Sequence, residues 1–416
     1  MKILHVLAQL PDRTGSGIYF KNVIDGFGHK NVEQALLFGQ QAPFFFDFSP
    51  HKCFAVNFLT DQLPFPIAGM SDVMPYEHTL YSQMSPQMVN QWQAAFRQQL
   101  DRIQTEFQPD IIISHHLWYL TALVLEMFPD VPVIGISHST DIRQAQRHPH
   151  LVEEYCQGME NLDLVFSLSP QNKSDILATY PISPEKIIVM GNGYNPDIFY
   201  PEDAYNRASS TREIRLLYAG KIAQEKGVFE LVQTYPYLKV AFPQLSLHLI
   251  GNGDASKYDL LMELSQARQL GGVRHDLSLP QKDLAQVMRQ SDIFVLPSYY
   301  EGLPTIVLEA LACGMRVVVS DFPALHQLLD GPINESGWVT YVPLPRRHHQ
   351  DQPLVEDLPV FKENLTQAIA QHIQAIQNAS TATPLLEEAI GKYAWPAIIE
   401  RQFEYVTQLL QSATPK

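Results

Sequence analysis

The chain has 416 residues, 45% of them hydrophobic and 18% charged, with 30 Pro, 21 Gly and three Cys. That length and apolar content predict two or three domains with sizeable cores and exclude wholesale disorder, and three distant cysteines (Cys53, Cys156, Cys313) without Cys-x-x-Cys spacing exclude a disulfide framework and a zinc ribbon. The net charge of −15 is spread over both halves, with 11 basic against 19 acidic residues up to Asn192 and 18 against 25 beyond it, so nucleic-acid binding and peripheral membrane contact, which both want a basic face, are disfavoured.

The first apolar run stops at Pro11-Asp12 and lacks a small-residue cleavage site, so it reads as a buried strand rather than a secretory leader. No apolar stretch approaches the ~20 residues of a membrane span, and a cytoplasmic protein is expected. Short β-branched runs then alternate with longer amphipathic stretches, the pattern of parallel sheets with crossover helices. In the first half it predicts strands over 2–7, 35–38, 111–114, 131–137, 164–168 and 186–190, with helices over 17–27, 86–107 and 170–179. In the second half it predicts strands over 214–219, 246–250, 273–276, 293–296 and 316–319. Helices are predicted there over 227–241, 256–269, 281–290 and 303–313.

Between the halves, Gly191-Asn-Gly-Tyr-Asn-Pro-Asp-Ile-Phe-Tyr-Pro201 is dense in turn residues, which puts a junction near 192–201. The expected domains are therefore 1–192 and 193–388, with a tail helix over 389–416 whose apolar positions (Ile398, Phe403, Val406, Leu409, Leu410) have helical spacing. A cleft facing the carboxyl ends of both sheets is the default ligand site. The polar stretch 346–359 reads as a surface loop. The segment 43–76, rich in Phe and Pro, reads as an acceptor platform, a lipid-facing patch or core.

Four motifs can carry chemistry. In Ser298-Tyr-Tyr-Glu301-Gly302-Leu303-Pro304-Thr305-Ile-Val-Leu-Glu309 a strand runs into a loop and then a helix whose start, at Pro304, suits an anion. Glu309 is the only charge between Gly302 and Met315 and needs partners, either sugar hydroxyls or an arginine inside the fold. In Gly220-Lys221-Ile-Ala-Gln-Glu-Lys226-Gly227 two ammonium groups are spaced to flank a diphosphate, or are solvated loop lysines. Gly15-Ser-Gly17 follows the first strand, but Phe20 stands where a dinucleotide fingerprint has its third glycine, and no acid ends the second strand. His115-His116 and His138 sit at strand ends, placed for a ligand or for hydrogen bonding at a sheet edge. No metal-ligand spacing accompanies them.

Taken together, these motifs resemble the family 4 retaining glycosyltransferases of the GT-B fold: α/β, two Rossmann-like doubly wound domains facing a central cleft. The likeness covers nearly the whole chain and is densest over 216–321, and Tyr393-Ala-Trp395 matches the family's closing segment that crosses back to the first domain. It implies transfer of a hexosyl or N-acetylhexosaminyl group from a nucleotide diphosphate sugar to a glycan, small-molecule, protein or lipid-linked acceptor. A UDP-sugar is the expected donor, as substrate rather than cofactor, and no metal is expected. By resemblance, Glu309 holds the ribose hydroxyls, Glu301 with Gly302 and Leu303 contacts the donor sugar, and Lys221 and Lys226 hold the diphosphate with the backbone of Pro304, Thr305 and Ile306. Gly15 and Gly17 let the first domain approach the donor, and His138 lies near the reacting sugar; Glu301, His138 and Lys226 are the candidate catalytic residues. Lys221 departs from the family's usual arginine, losing the bidentate fork. The competing readings are a sugar-nucleotide epimerase or phosphorylase on the same fold, and a non-catalytic partner subunit.

Overall fold

The computed structural model describes residues 1–72, 74–201, 213–253, 264, 266–301, 303–329, 331–349, 352–378 and 384–413. The chain divides into two units, Met1–Gly191 with Trp395–Lys416, and Asn192–Ala394. No described helix is long and apolar enough to cross a membrane.

The first unit is built on β1 (Lys2–Leu7), β2 (Glu33–Gln41), β3 (Lys52–Phe58), β4 (Ile111–His115), β5 (Val133–Ile136), β6 (Leu164–Ser167) and β7 (Ile187–Val189). All neighbours are parallel, in the order β3-β2-β1-β4-β5-β6-β7. Both faces of β1 are covered: Leu4 and Val6 join one apolar cluster, while Ile3 and Leu7 join two others on the opposite side. That is why its sequence reads as a continuous apolar run rather than an alternation. Helices α1 (Gly15–Gly28), α2 (Pro86–Glu106), α3 (Tyr119–Met127), α4 (Thr140–Arg147), α5 (Pro149–Tyr155) and α6 (Pro170–Thr179) flank this sheet.

The second unit repeats the plan with β8 (Ile214–Ala219), β9 (Leu245–Ile250), β10 (Val273–Asp276), β11 (Ile293–Leu296), β12 (Arg316–Ser320) and β13 (Val339–Val342), ordered β10-β9-β8-β11-β12-β13 and again parallel. Helices α7 (Val228–Ala241), α8 (Gln281–Arg289), α9 (Thr305–Ala312) and α10 (Leu358–Gln377) accompany it. In each unit the chain leaves the first strand in one direction, then returns to its other side with the fourth. The switch points are thus β1/β4 and β8/β11, and open parallel sheets bind ligands outside the carboxyl ends of the strands at such points.

Several elements depart from the sequence reading. Strands β3 and β13 and helices α3, α4, α5 and α10 were not foreseen, and of the helix expected over 256–269 residues 256–263 and 265 lie outside the described residues. The polar stretch after Arg346 is not merely a loop, since Arg347–His349 pairs antiparallel with Gln352–Pro353. The aromatic segment is mainly core: Leu63, Phe65, Ile67, Met70 and Tyr76 pack with Trp92 and Phe96 of α2, leaving Phe45 at 65% exposure.

The final helix α11 (Trp395–Ala413) belongs to the first unit, where Ile398, Ile399 and Val406 pack with Val23 and Phe27 of α1. Its fit depends on Gly26, where a Cβ would stand 2.7 Å from the Ile399 side chain. Replacing Gly26 with Val is therefore expected to lower the stability of the first unit by about 1–3 kcal/mol, measured as a lower midpoint in chemical denaturation at an unchanged slope.

Candidate active site

In the second unit the loops after β8 and β11 are fastened to each other. Gly227 adopts φ +61°, and a Cβ there would lie 2.0 Å from the Pro297 carbonyl oxygen, so only glycine permits this approach. The Tyr299 N–H donates to the Glu225 carbonyl at 3.0 Å. Within this frame Lys226 Nζ donates to Glu301 Oε1 at 2.8 Å, although the two residues are 75 positions apart. Both side chains are mostly shielded from solvent, at 25% and 17% exposure. Lys221 is more open, at 63% exposure, and pairs with Glu225 at 3.0 Å. The loop after β9 joins the assembly as well, with the Ile222 N–H donating to the Asn252 carbonyl at 2.9 Å.

Helix α9 begins at Thr305, with Pro304 as its N-cap rather than inside the first turn, where the sequence placed it. No side chain of a described residue caps this start and no acid occupies the first turn, while the Thr305 and Val307 N–H groups donate to the Leu303 and Pro304 carbonyls. Gly314, at φ +75°, follows the helix end. Glu309 lies on α9 among apolar neighbours, partly buried, and its carboxylate makes no hydrogen bond or ion pair to any described residue. The arginine partner considered from sequence is thus absent among the described residues. Burial alone pushes the Glu309 carboxyl up to about 7.

In the first unit the carboxyl ends of β1, β4 and β5 carry a second polar group. The Thr14 hydroxyl caps α1 by accepting from the Gly17 N–H at 3.1 Å, and the buried Gln9 donates to both Thr14 and Ser16. Gly15 faces open space, whereas a Cβ on Gly17 would meet the chain's own backbone at Asp12 N (2.7 Å) and Leu10 O (2.9 Å). One turn along α1, the Tyr19 ring meets the His138 ring at 5.2 Å and that of Trp395 at 4.8 Å. The His138 N–H donates to Asp141 Oδ1 at 3.1 Å, and Asp141 also accepts from Ser137 Oγ and the Leu117 N–H. Burial holds the imidazoles of His115, His116 and His138 well below the usual histidine range, with repulsion from His5 and His116 adding to the effect at His115 and from His116 and His115 at His138.

Of the residues singled out from sequence, the second unit brings together Lys221, Lys226, Glu301, Leu303, Pro304, Thr305 and Glu309 along two adjoining loops and one helix, and the first brings Gly15, Gly17 and His138 to one sheet end. Gly302 lies outside the described residues. Sequence reasoning passed over Arg347, which donates to the Tyr299 carbonyl at 2.7 Å and so braces the loop carrying Glu301. It also gave Asp141 no role, although its place three residues after His138 is the spacing of a side chain that closes a turn on backbone N–H groups.

Two doubly wound parallel α/β units, each with polar loops at its switch point, define a two-domain Rossmann-like protein of the GT-B class. The family model for glycosyl transferases group 1 matches residues 201–340, and that for glycosyltransferase family 4 matches residues 72–198. A glycogen synthase of Mycobacterium tuberculosis is 26% identical over 275 residues, covering 63% of this chain and 64% of the relative, so the match spans less than two thirds of that protein. Among solved structures, sucrose-phosphate synthase of Thermosynechococcus elongatus superposes with a TM-score of 0.66 at 18% identity, over 99% of this chain and 100% of that one. Anabaena HepE in complex with UDP and glucose gives a TM-score of 0.58 at 15% identity, over 98% and 100%. The chain belongs to the family 4 glycosyltransferases and has their GT-B fold.

The raised carboxyl of Glu309 has a consequence for folding. Between the ordinary carboxyl value of 4.5 and about 7, the folded chain retains a proton that the unfolded chain has lost, so stability falls as pH rises through that window. Glu309→Gln is expected to be more stable than the parent chain at pH 8 by up to about 3 kcal/mol and equal to it at pH 4, as read from denaturation curves at the two pH values.

Proposed function

We propose that this chain is a retaining, metal-independent glycosyltransferase that moves a hexosyl or N-acetylhexosaminyl group from a nucleotide diphosphate sugar, a UDP-sugar first of all, to an acceptor hydroxyl. The second unit takes the donor and the first takes the acceptor. Glu309 accepts from the vicinal ribose hydroxyls, which supply the partners its partly buried carboxylate lacks among the described residues. Glu301 and the Leu303 backbone hold the donor sugar. Lys221, Lys226 and the open start of α9 at Pro304–Thr305 balance charge on the diphosphate. Gly15 and Gly17, in the first turn of α1, and His138 serve the reacting sugar. The bond from the anomeric carbon to the diphosphate oxygen breaks, the acceptor oxygen bonds on the same face, and its proton passes to the departing phosphate.

Support comes from one observation above the others: a carboxylate on an apolar helix with no partner among the described residues, eight positions after a glutamate held by a lysine. HepE, a structural neighbour, was solved with UDP and glucose, which makes UDP the first nucleotide to test. Two ammonium groups and a helix start supply positive potential for a diphosphate without a bound cation.

Calorimetric titration with UDP-, GDP- and ADP-sugars tests the reading. Glu309→Ala is expected to weaken binding of the preferred donor roughly tenfold to a hundredfold, the range for losing hydrogen bonds to a charged group, and Glu301→Ala to lower turnover more than folding stability. Unchanged donor affinity in Glu309→Ala overturns the assignment.

A further inference from the structure

His115 ends β4, and its register partner on the neighbouring β5 is Ile136, two residues before His138. The imidazoles of His115 and His138 lie nearly parallel, 16° apart with centroids at 5.2 Å, and Nδ1 of His115 stands 3.0 Å from Nε2 of His138. His115 is 1% exposed and is packed edgewise against Phe20 and Tyr19, and its Nε2 has no partner among the described residues. The main chain of His138 is held from the other side by Asp141. The ring of His138 is partly exposed, and its Nδ1 makes no hydrogen bond to a described residue.

Two neutral imidazoles joined by one hydrogen bond share one proton across it. That proton belongs either to His115, leaving its buried Nε2 as a bare lone pair, or to His138, leaving a buried N–H on His115 without an acceptor. Among backbone groups, buried unpaired N–H donors are rarer than under-satisfied acceptors, and we carry that preference over to the imidazole. The first arrangement is therefore favoured, and it fixes where His138 carries its own proton. A ring that accepts at Nε2 must be protonated at Nδ1.

We propose that His115 is a positioning residue that donates from Nδ1 to His138 Nε2 and holds His138 as its Nδ1–H tautomer. His138 then offers its ligand a hydrogen-bond donor at a fixed angle and does not act as a base. The ligand side of this inference rests on the placement of His138 in the proposed function; the pairing does not.

The test is long-range proton–nitrogen correlation spectroscopy on the full chain labelled with nitrogen-15 histidine, without ligand. In the parent chain His138 is expected to show a protonated Nδ1 and a bare Nε2. His115→Phe, which keeps an aromatic ring but no donor, should release His138 from that tautomer. His115→Asn, whose amide can donate from nearly the same place, should restore it. Hydrolysis of whichever of UDP-, GDP- and ADP-glucose the chain turns over is expected to lose roughly tenfold to a hundredfold in kcat in His115→Phe, the usual scale for removing a residue that orients a functional histidine, with KM little changed and most of kcat recovered in His115→Asn. A protonated Nε2 on His138 in the parent chain overturns the proposal, as does an unchanged His138 tautomer in His115→Phe. Should His115→Phe fail to fold, the asparagine variant decides through the same spectrum, since loss of the Nδ1–H form there also overturns it. If the tautomer behaves as expected while His138→Ala leaves turnover intact, the pairing stands and the placement of His138 at the reacting sugar is what fails.

Discussion

The approach of Gly227 to the Pro297 carbonyl is the contact on which the second unit's chemistry depends. With a Cβ at 2.0 Å from that oxygen, no other residue could sit there without moving the loop after β8 away from the loop after β11. Lys226 precedes this glycine, and Glu301 lies four residues past the proline. Their 2.8 Å ion pair therefore follows from main-chain geometry rather than from two long side chains searching for each other. The Tyr299–Glu225 bond beside it and the Arg347 brace behind it act on the same loop, so its position is over-determined by three separate parts of the chain. A binding group held this way loses little conformational freedom when a ligand arrives.

The two units solve one topological problem twice. In each, the first strand and the fourth lie side by side at the switch point, and the loops leaving their carboxyl ends diverge to opposite faces. The space between those loops is where polar groups can project beyond the sheet without breaking its hydrogen bonds. In the first unit it holds the Gly15–Gly17 turn beside the histidines. In the second it holds the lysine loop beside Glu301 and α9. Each place also carries polar groups without a partner among the described residues: the partly buried Glu309 carboxylate in one, and both ring nitrogens of His116 with one of His115, all buried, in the other. Such groups oppose folding, and they persist where binding supplies what folding does not.

Much of this was legible in the sequence because parallel sheets buried on both faces write themselves as short apolar runs. Strands β8, β10 and β11 fall on their expected residues, as does β1. The misses have physical causes. Strand β3 is an edge strand with an exposed first half, and it lies inside an aromatic segment that drew attention to its side chains instead. Helix α3, Tyr-Leu-Thr-Ala-Leu-Val-Leu-Glu-Met, is apolar nearly all round and shows no amphipathic period. Glu301, Glu309 and the lysines could be picked out by spacing. Which lysine meets which glutamate could not, because the answer lies in a left-handed glycine and a proline carbonyl seventy positions later. The His115–His138 contact is an intermediate case: adjacent strands were foreseeable, but the meeting of the two rings depends on register and on the Asp141 turn.

The acidic character of the chain gives these pairings their final meaning. Both candidate diphosphate ligands are already occupied by carboxylates, Lys221 by Glu225 and Lys226 by Glu301, at 3.0 and 2.8 Å. In a protein of net charge −15, the pairs keep positive loops in place without exposing a naked cation, but they also cancel much of the field an anionic ligand would feel. The start of α9 differs from these pairs in having neither a capping side chain among the described residues nor an acid in its first turn. Because the ammonium of Lys226 bonds only one oxygen of Glu301, that carboxylate keeps lone pairs for hydroxyl donors. The same pair can therefore serve a charged group on its lysine side and a sugar on its glutamate side.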